Sequence, residues 1–183
     1  MKKLFLISTM VLGVATALLP STASAAVHNS IGLGFHSSDA PVGIRYWMTG
    51  QKMAIDAGIG FSSQDAGAET LMGFTIEAGV PIMLRSWDRA HFMFRPGIGF
   101  TSQDELVINN GETDTDSETR LRILAELEAE IFLVDNVSIS ASHGLAIENT
   151  SPPGDADSST NFGLFGDNFT EVGFHIYLFG PAE

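Results

Sequence analysis

Met53-Ala-Ile-Asp-Ala-Gly-Ile-Gly-Phe61 is the stretch whose reading decides the fold. Met53, Ile55, Ala57, Ile59 and Phe61 alternate with Ala54, Asp56, Gly58 and Gly60. A period of two places the two sets on opposite faces of an extended strand. No apolar stripe of period 3.6 runs through it, so an amphipathic helix does not fit. Ile31-Gly-Leu-Gly-Phe35 and Val172-Gly-Phe-His-Ile-Tyr-Leu178 repeat the design.

Working outward, the same alternation defines eight segments: Asn29–Ser37, Pro41–Thr49, Lys52–Ser62, Glu69–Met83, Arg89–Ser102, Glu118–Leu133, Asn136–Glu148 and Asn161–Phe179. Short links, Gly50-Gln51, Arg85–Asp88 and Val134–Asn136, alternate with Ser37–Ala40, Ser63–Ala68, Gln103–Ser117 and Asn149–Thr160, most of them longer. The last two of these are acidic and rich in turn-forming residues. Long amphipathic strands with alternating short and long links predict an all-β fold, an eight-stranded antiparallel up-and-down β-barrel.

One face of the alternation carries Leu33, Ile44, Ile59, Phe74, Phe94, Ile123, Ile139 and Phe174. The other carries Gly32, Arg45, Asp56, Glu77, Arg95, Arg122, Glu126, Glu128, Glu130, Ser140, Glu171 and His175. Periodicity alone does not say which face is outside. A soluble periplasmic lipocalin-like barrel would turn the apolar face inward around a ligand. A transmembrane barrel would turn it outward. The polar face favours the second arrangement, because its many Gly and Ser suit a crowded interior. Its charges also change sign from strand to strand, as buried ions require.

The first residues read as a secretory leader. Lys2 and Lys3 precede the apolar stretch Leu4–Leu19, and Ala23-Ser-Ala25 is a small-residue cleavage motif. Residues 1–25 are therefore expected to be a cleaved signal peptide, and residues 26–183 the barrel. Loss of the two lysines takes the formal charge from −13 to −15. So acidic a chain is a poor partner for nucleic acid. There is no cysteine, which excludes disulfide and thiolate chemistry. Outside the leader Lys52 is the only lysine; the other cations are arginines, suited to confined bidentate pairing with carboxylates.

With its leader, eight amphipathic strands and final segment Glu171-Val-Gly-Phe-His-Ile-Tyr-Leu-Phe179, the chain resembles the small outer-membrane barrels of the OmpA/OmpX and OmpW kind. The resemblance implies export to the cell outer membrane and folding by the barrel assembly machinery, which reads such a terminal strand. It also implies contact with outer-membrane lipids and lipopolysaccharide.

Four constellations bear on function. The inward charges Arg45, Asp56, Glu77, Arg95, Arg122, Glu126, Glu128 and Glu171 either line an ion path or form a salt-bridge plug. The plug is preferred, because eight strands enclose little more than side chains. Within it, Arg95 is expected between Glu77 and Glu126 or Glu128, and Arg45 beside Asp56. Tyr46, Trp47, Trp87, Tyr177 and Phe179 fall at one end and read as an interfacial aromatic belt. Lipid A deacylases resemble this chain in barrel architecture and carry a His with Ser two residues on; here Leu145 stands at that place after His143, and the nearby hydroxyl is that of Ser142. A strand places the two side chains on opposite faces, so a nucleophile–base pair is not expected. Asn109–Asp116 has oxygen ligands at alternate positions but not the EF-hand order, and reads as a solvated loop. No catalytic residue, cofactor or metal site is expected. The expected role is envelope integrity or narrow passage of small solutes.

Overall fold

The computed structural model describes residues 30–48, 52–67, 69–109, 112–154, 157–164 and 170–178. The leader and Phe179 lie outside these residues. The strands are β1 (Ile31–Phe35), β2 (Val42–Trp47), β3 (Ala54–Asp65), β4 (Thr70–Gly79), β5 (Ile82–Trp87), β6 (Ala90–Asn109), β7 (Glu112–Val134), β8 (Val137–Ser151), β9 (Ser159–Leu164) and β10 (Thr170–Tyr177). Every pairing is antiparallel. β10 pairs with β8 on one side and β1 on the other, which closes the sheet.

Ten segments make eight staves. β4 and β5 lie end to end along β6, and their stave is interrupted at Val80-Pro81. Proline has no N–H to give a ladder, so a central strand breaks there. β9 and β10 likewise lie along successive parts of β8. The protein is thus a closed eight-stranded antiparallel β-barrel.

Several links differ from expectation. Gln103–Ser117 is not a loop: β6 and β7 stay paired from Ala90↔Ile131 to Asn109↔Glu112. Its Thr and Val residues favour strand, and a ladder already in register carries its acidic residues along. The turn expected at Arg85–Asp88 falls at Asp88-Arg89, because β5 runs on to Trp87. The tip between β8 and β9 shrinks to residues 152–158.

The faces separate by polarity, inside out relative to a soluble domain. Ile55, Ile59, Phe61, Ile76, Ile98, Ile123 and Phe174 are exposed on the outer wall. Arg45, Asp56, Glu77, Arg95, Glu126, Glu128 and Glu130 are buried inside. The small apolar core fills one end of the lumen, where Trp47, Ala54, Met93, Phe132 and Tyr177 pack together.

β1 and β2 are the shortest neighbouring staves, and their connection explains why. Residues 36–41 fold inward, burying His36, Ser37 and Ala40. Ser37 caps the bend by accepting the Ala40 N–H at 3.0 Å. Gly58 admits the connection: a Cβ there would stand 2.5 Å from the His36 ring and 3.0 Å from the Ala40 Cβ. Gly58→Val should therefore destabilise the barrel by about 1–3 kcal/mol, the usual cost of overpacking. Gly163→Ala should be near neutral, since nothing lies within 4 Å of a Cβ at that position. Denaturant titration of both variants measures the difference; equal midpoints would contradict the inward docking.

Candidate functional site

The middle of the lumen is a continuous ion-pair lattice built on side chains that strand alternation turns inward. Asp56 on β3 is its hub. Arg45, directly across on β2, donates from Nη2 to Asp56 Oδ2 at 2.7 Å. Arg95, on β6 across the lumen, donates from Nε and Nη2 to the same carboxylate at 3.1–3.2 Å. Gly79 makes room for this contact, since a Cβ there would stand 2.6 Å from Arg95 Nε and 2.7 Å from Asp56 Oδ1.

From the hub the lattice spreads to β7. Arg45 grips Glu128 with both terminal nitrogens, at 2.7 and 3.0 Å, and lies 3.6 Å from Glu130. Arg95 bonds Glu126, which also accepts the Ser142 hydroxyl at 2.9 Å. Glu130 accepts from Ser138 at 2.6 Å and from the Tyr177 hydroxyl at 2.7 Å. These are fork-to-carboxylate contacts, the geometry arginine supplies and lysine does not.

Several placements differ from the sequence reading. Arg95 does not take Glu77; it turns across the barrel to Asp56 instead. Glu77 is held by Arg122 at 3.1 Å and by the Ser37 hydroxyl at 2.9 Å. Arg122 also bonds Asp39 at 3.0 Å. Glu171 lines the small space beside Ser142 and His175 and makes no ion pair among the described residues. Two members of the expected aromatic belt face inward: Trp47 and Tyr177 are fully buried and joined by a 3.2 Å hydrogen bond. With His91, Met93 and Phe132 they form the apolar floor of the lumen. Tyr46 and Trp87 do stand on the outer wall, whereas Phe179 falls outside the described residues. Tyr46 and Trp47 are adjacent, so alternation sends one ring out and the other in, and Tyr177 shares the inward face with His175 two residues before it.

His36, Ser37 and Asp39 enter the site through the inward connection and were not legible as site residues. Arg95 donates from Nη2 to His36 Nε2 at 2.9 Å, which puts the imidazole proton on Nδ1. Ser142 bonds Glu126 inside the lumen, and His143 faces out, so the two do not form a nucleophile–base pair.

Chemically, this arrangement can fill and brace the barrel. Beside the hub, between Arg45, Arg95, Glu128 and His175, lies a space of about 10 Å3, room for one water, and the apolar floor fills one end of the lumen. No family model, curated protein or solved structure matches the chain.

Replacing Arg95 by Ala strips Asp56 and Glu126 of a buried partner. Such a loss costs about 3–5 kcal/mol. The urea midpoint of Arg95→Ala should fall accordingly, and an unchanged midpoint would show that the lattice does not brace the barrel.

Proposed function

We propose that the protein is an outer-membrane β-barrel whose lumen is a structural plug, and that it serves envelope integrity rather than open passage. One observation carries this reading: the exposed outer wall is apolar around the barrel while the ions are inside. In water, such a wall is a large uncovered apolar surface of the kind soluble monomers avoid. In a bilayer, closure satisfies the backbone and the wall meets hydrocarbon. The leader-like first residues and the likeness to small outer-membrane barrels agree with it. Passage of small solutes is the weaker alternative, because side chains fill the lumen at the hub. A lipocalin-like role fits poorly, since that barrel would need an apolar cavity where this one has ion pairs.

The experiment is membrane fractionation with heat-modifiability on gels. The protein should partition with the outer membrane, require detergent for release, and shift mobility on boiling. Recovery from the periplasm without detergent would refute the reading. A graded test follows from Phe94, exposed on the wall beside Leu127. Phe94→Arg should cost about 2–4 kcal/mol in lipid, the range for arginine at a bilayer midplane. Asp157→Arg, at the exposed β8–β9 tip, should cost little. Equal stability of the two variants in phospholipid vesicles would place the wall in water.

A further inference from the structure

At the loop end the lumen widens into a cup of about 380 Å3 above the Glu77–Arg122 pair. That volume is in the range of small-ligand pockets. Its polar lining includes Arg120, Arg122, Thr75, Thr101, Gln103 and Glu148.

The cup carries both signs of charge with spare capacity. Arg120 spends Nε on Glu118, and Arg122 spends Nη2 on Asp39 and Glu77. Their other guanidinium nitrogens have no acceptor among the described residues. Arg120 and Arg122 are two apart on β7, so both point inward about 6.6 Å apart along the strand. Glu148 on β8 lies directly across from Arg122, yet the two form no ion pair among the described residues. A cross-strand pair at this spacing ordinarily attracts. Here each is left to face the cup, and Glu148 accepts only a long 3.5 Å bond from Thr150.

The cup also sits where the apolar wall ends. Leu121, between the two arginines, is exposed outside, and the next outward residues toward the tip are Thr119 and Ser117. Ile147 gives way to Asn149, and Phe61 to Ser63, at corresponding heights. In the membrane reading proposed above, this is headgroup level. The wall is incomplete beside it. β2 pairs with β3 only up to Val42↔Ile59, so Phe61–Asp65 has a strand on one side alone among the described residues. Pro41, Gly60 and Ser62 border the cup at that edge.

The geometry points to a binding site for a small zwitterion carrying a phosphate ester and an ammonium, the chemistry of phosphoethanolamine. The phosphate would lie on the free donors of Arg120 and Arg122, whose planar forks can each take two of its oxygens. The ammonium would lie on Glu148 and the exposed Asp39 carboxylate. Thr75, Thr101 and Gln103 would hydrogen-bond the ester oxygens. The same chemistry reaches the cup either as a free solute or as a phosphatidylethanolamine headgroup entering beside the β3 edge. The membrane reading bears only on the second source.

The test uses the folded full-length barrel in maltoside micelles and calorimetric titration. The probes are phosphoethanolamine, inorganic phosphate, ethanolamine and dihexanoyl phosphatidylethanolamine. Phosphoethanolamine should bind at least tenfold more tightly than phosphate or ethanolamine alone. Arg120→Gln and Glu148→Gln should each weaken it at least tenfold while keeping the heat-shifted mobility of a folded barrel. The short-chain lipid binding at least tenfold tighter than the free head assigns a lipid source; equal affinities assign a soluble one. No binding by the folded wild type would overturn the proposal. So would phosphate alone binding as tightly as phosphoethanolamine, or both variants retaining full affinity. A protein that stays soluble without detergent and still binds phosphoethanolamine would contradict the membrane reading alone.

Discussion

Two guanidiniums share one buried carboxylate at Asp56, and the rest of the structure depends on that arrangement. Removing two arginines and an aspartate from water costs several kcal/mol per ion. Attraction offsets this best where forks and carboxylates meet well and most of their remaining donors and acceptors are bonded. Here Glu126 and Glu128 accept from the far ends of Arg95 and Arg45, and serine and tyrosine hydroxyls bond Glu126 and Glu130, while Arg45 Nε and Glu130 Oε2 stay buried without a hydrogen-bond partner among the described residues. A single strand cannot supply such a shell; closure of the barrel does. The lattice and the topology therefore require each other.

The same constraint accounts for features that look unrelated in the sequence. Gly79 is small because the Arg95–Asp56 contact passes over it, and Gly58 because the His36 ring rests on it. The first hairpin is short because its connection is spent inside, where His36, Ser37 and Asp39 each add a partner to Arg95, Glu77 and Arg122. The apolar floor of Trp47, Met93, Phe132 and Tyr177 then closes one end, and Tyr177 ties it to the lattice through Glu130. The opposite end stays open as the cup.

Much of this was legible along the chain, and the limits have physical causes. Period-two alternation specifies which side chains share a face, and so it placed Arg45, Asp56, Glu77, Arg95 and Glu128 together. It does not specify which cross-lumen partner a long arginine reaches: Arg95 meets Glu126 as expected, but Asp56 takes the place of Glu77. Adjacent aromatics share an end but not a face, so Trp47 turns inward beside the outward Tyr46, and Tyr177, though at the belt's end, belongs by alternation to the inward set with His175. The alternation assigned to Asn29–Ser37 stops at Phe35, where β1 ends, and no sequence pattern marks the inward turn of residues 36–41, so the plug contributed by His36, Ser37 and Asp39 was invisible. The acidic run 103–117 looked like a loop by composition, whereas an existing ladder extends through it.

A lumen filled by paired ions has a consequence no single substitution captures: it should not pass current. The decisive measurement is the steady conductance of the wild-type protein inserted in a planar bilayer in molar salt. The account predicts insertion, verified by protease protection of the strands, with no stable open-channel current. A steady ohmic current of open-pore size would show that Arg45, Asp56 and Arg95 line a water-filled path and do not close it.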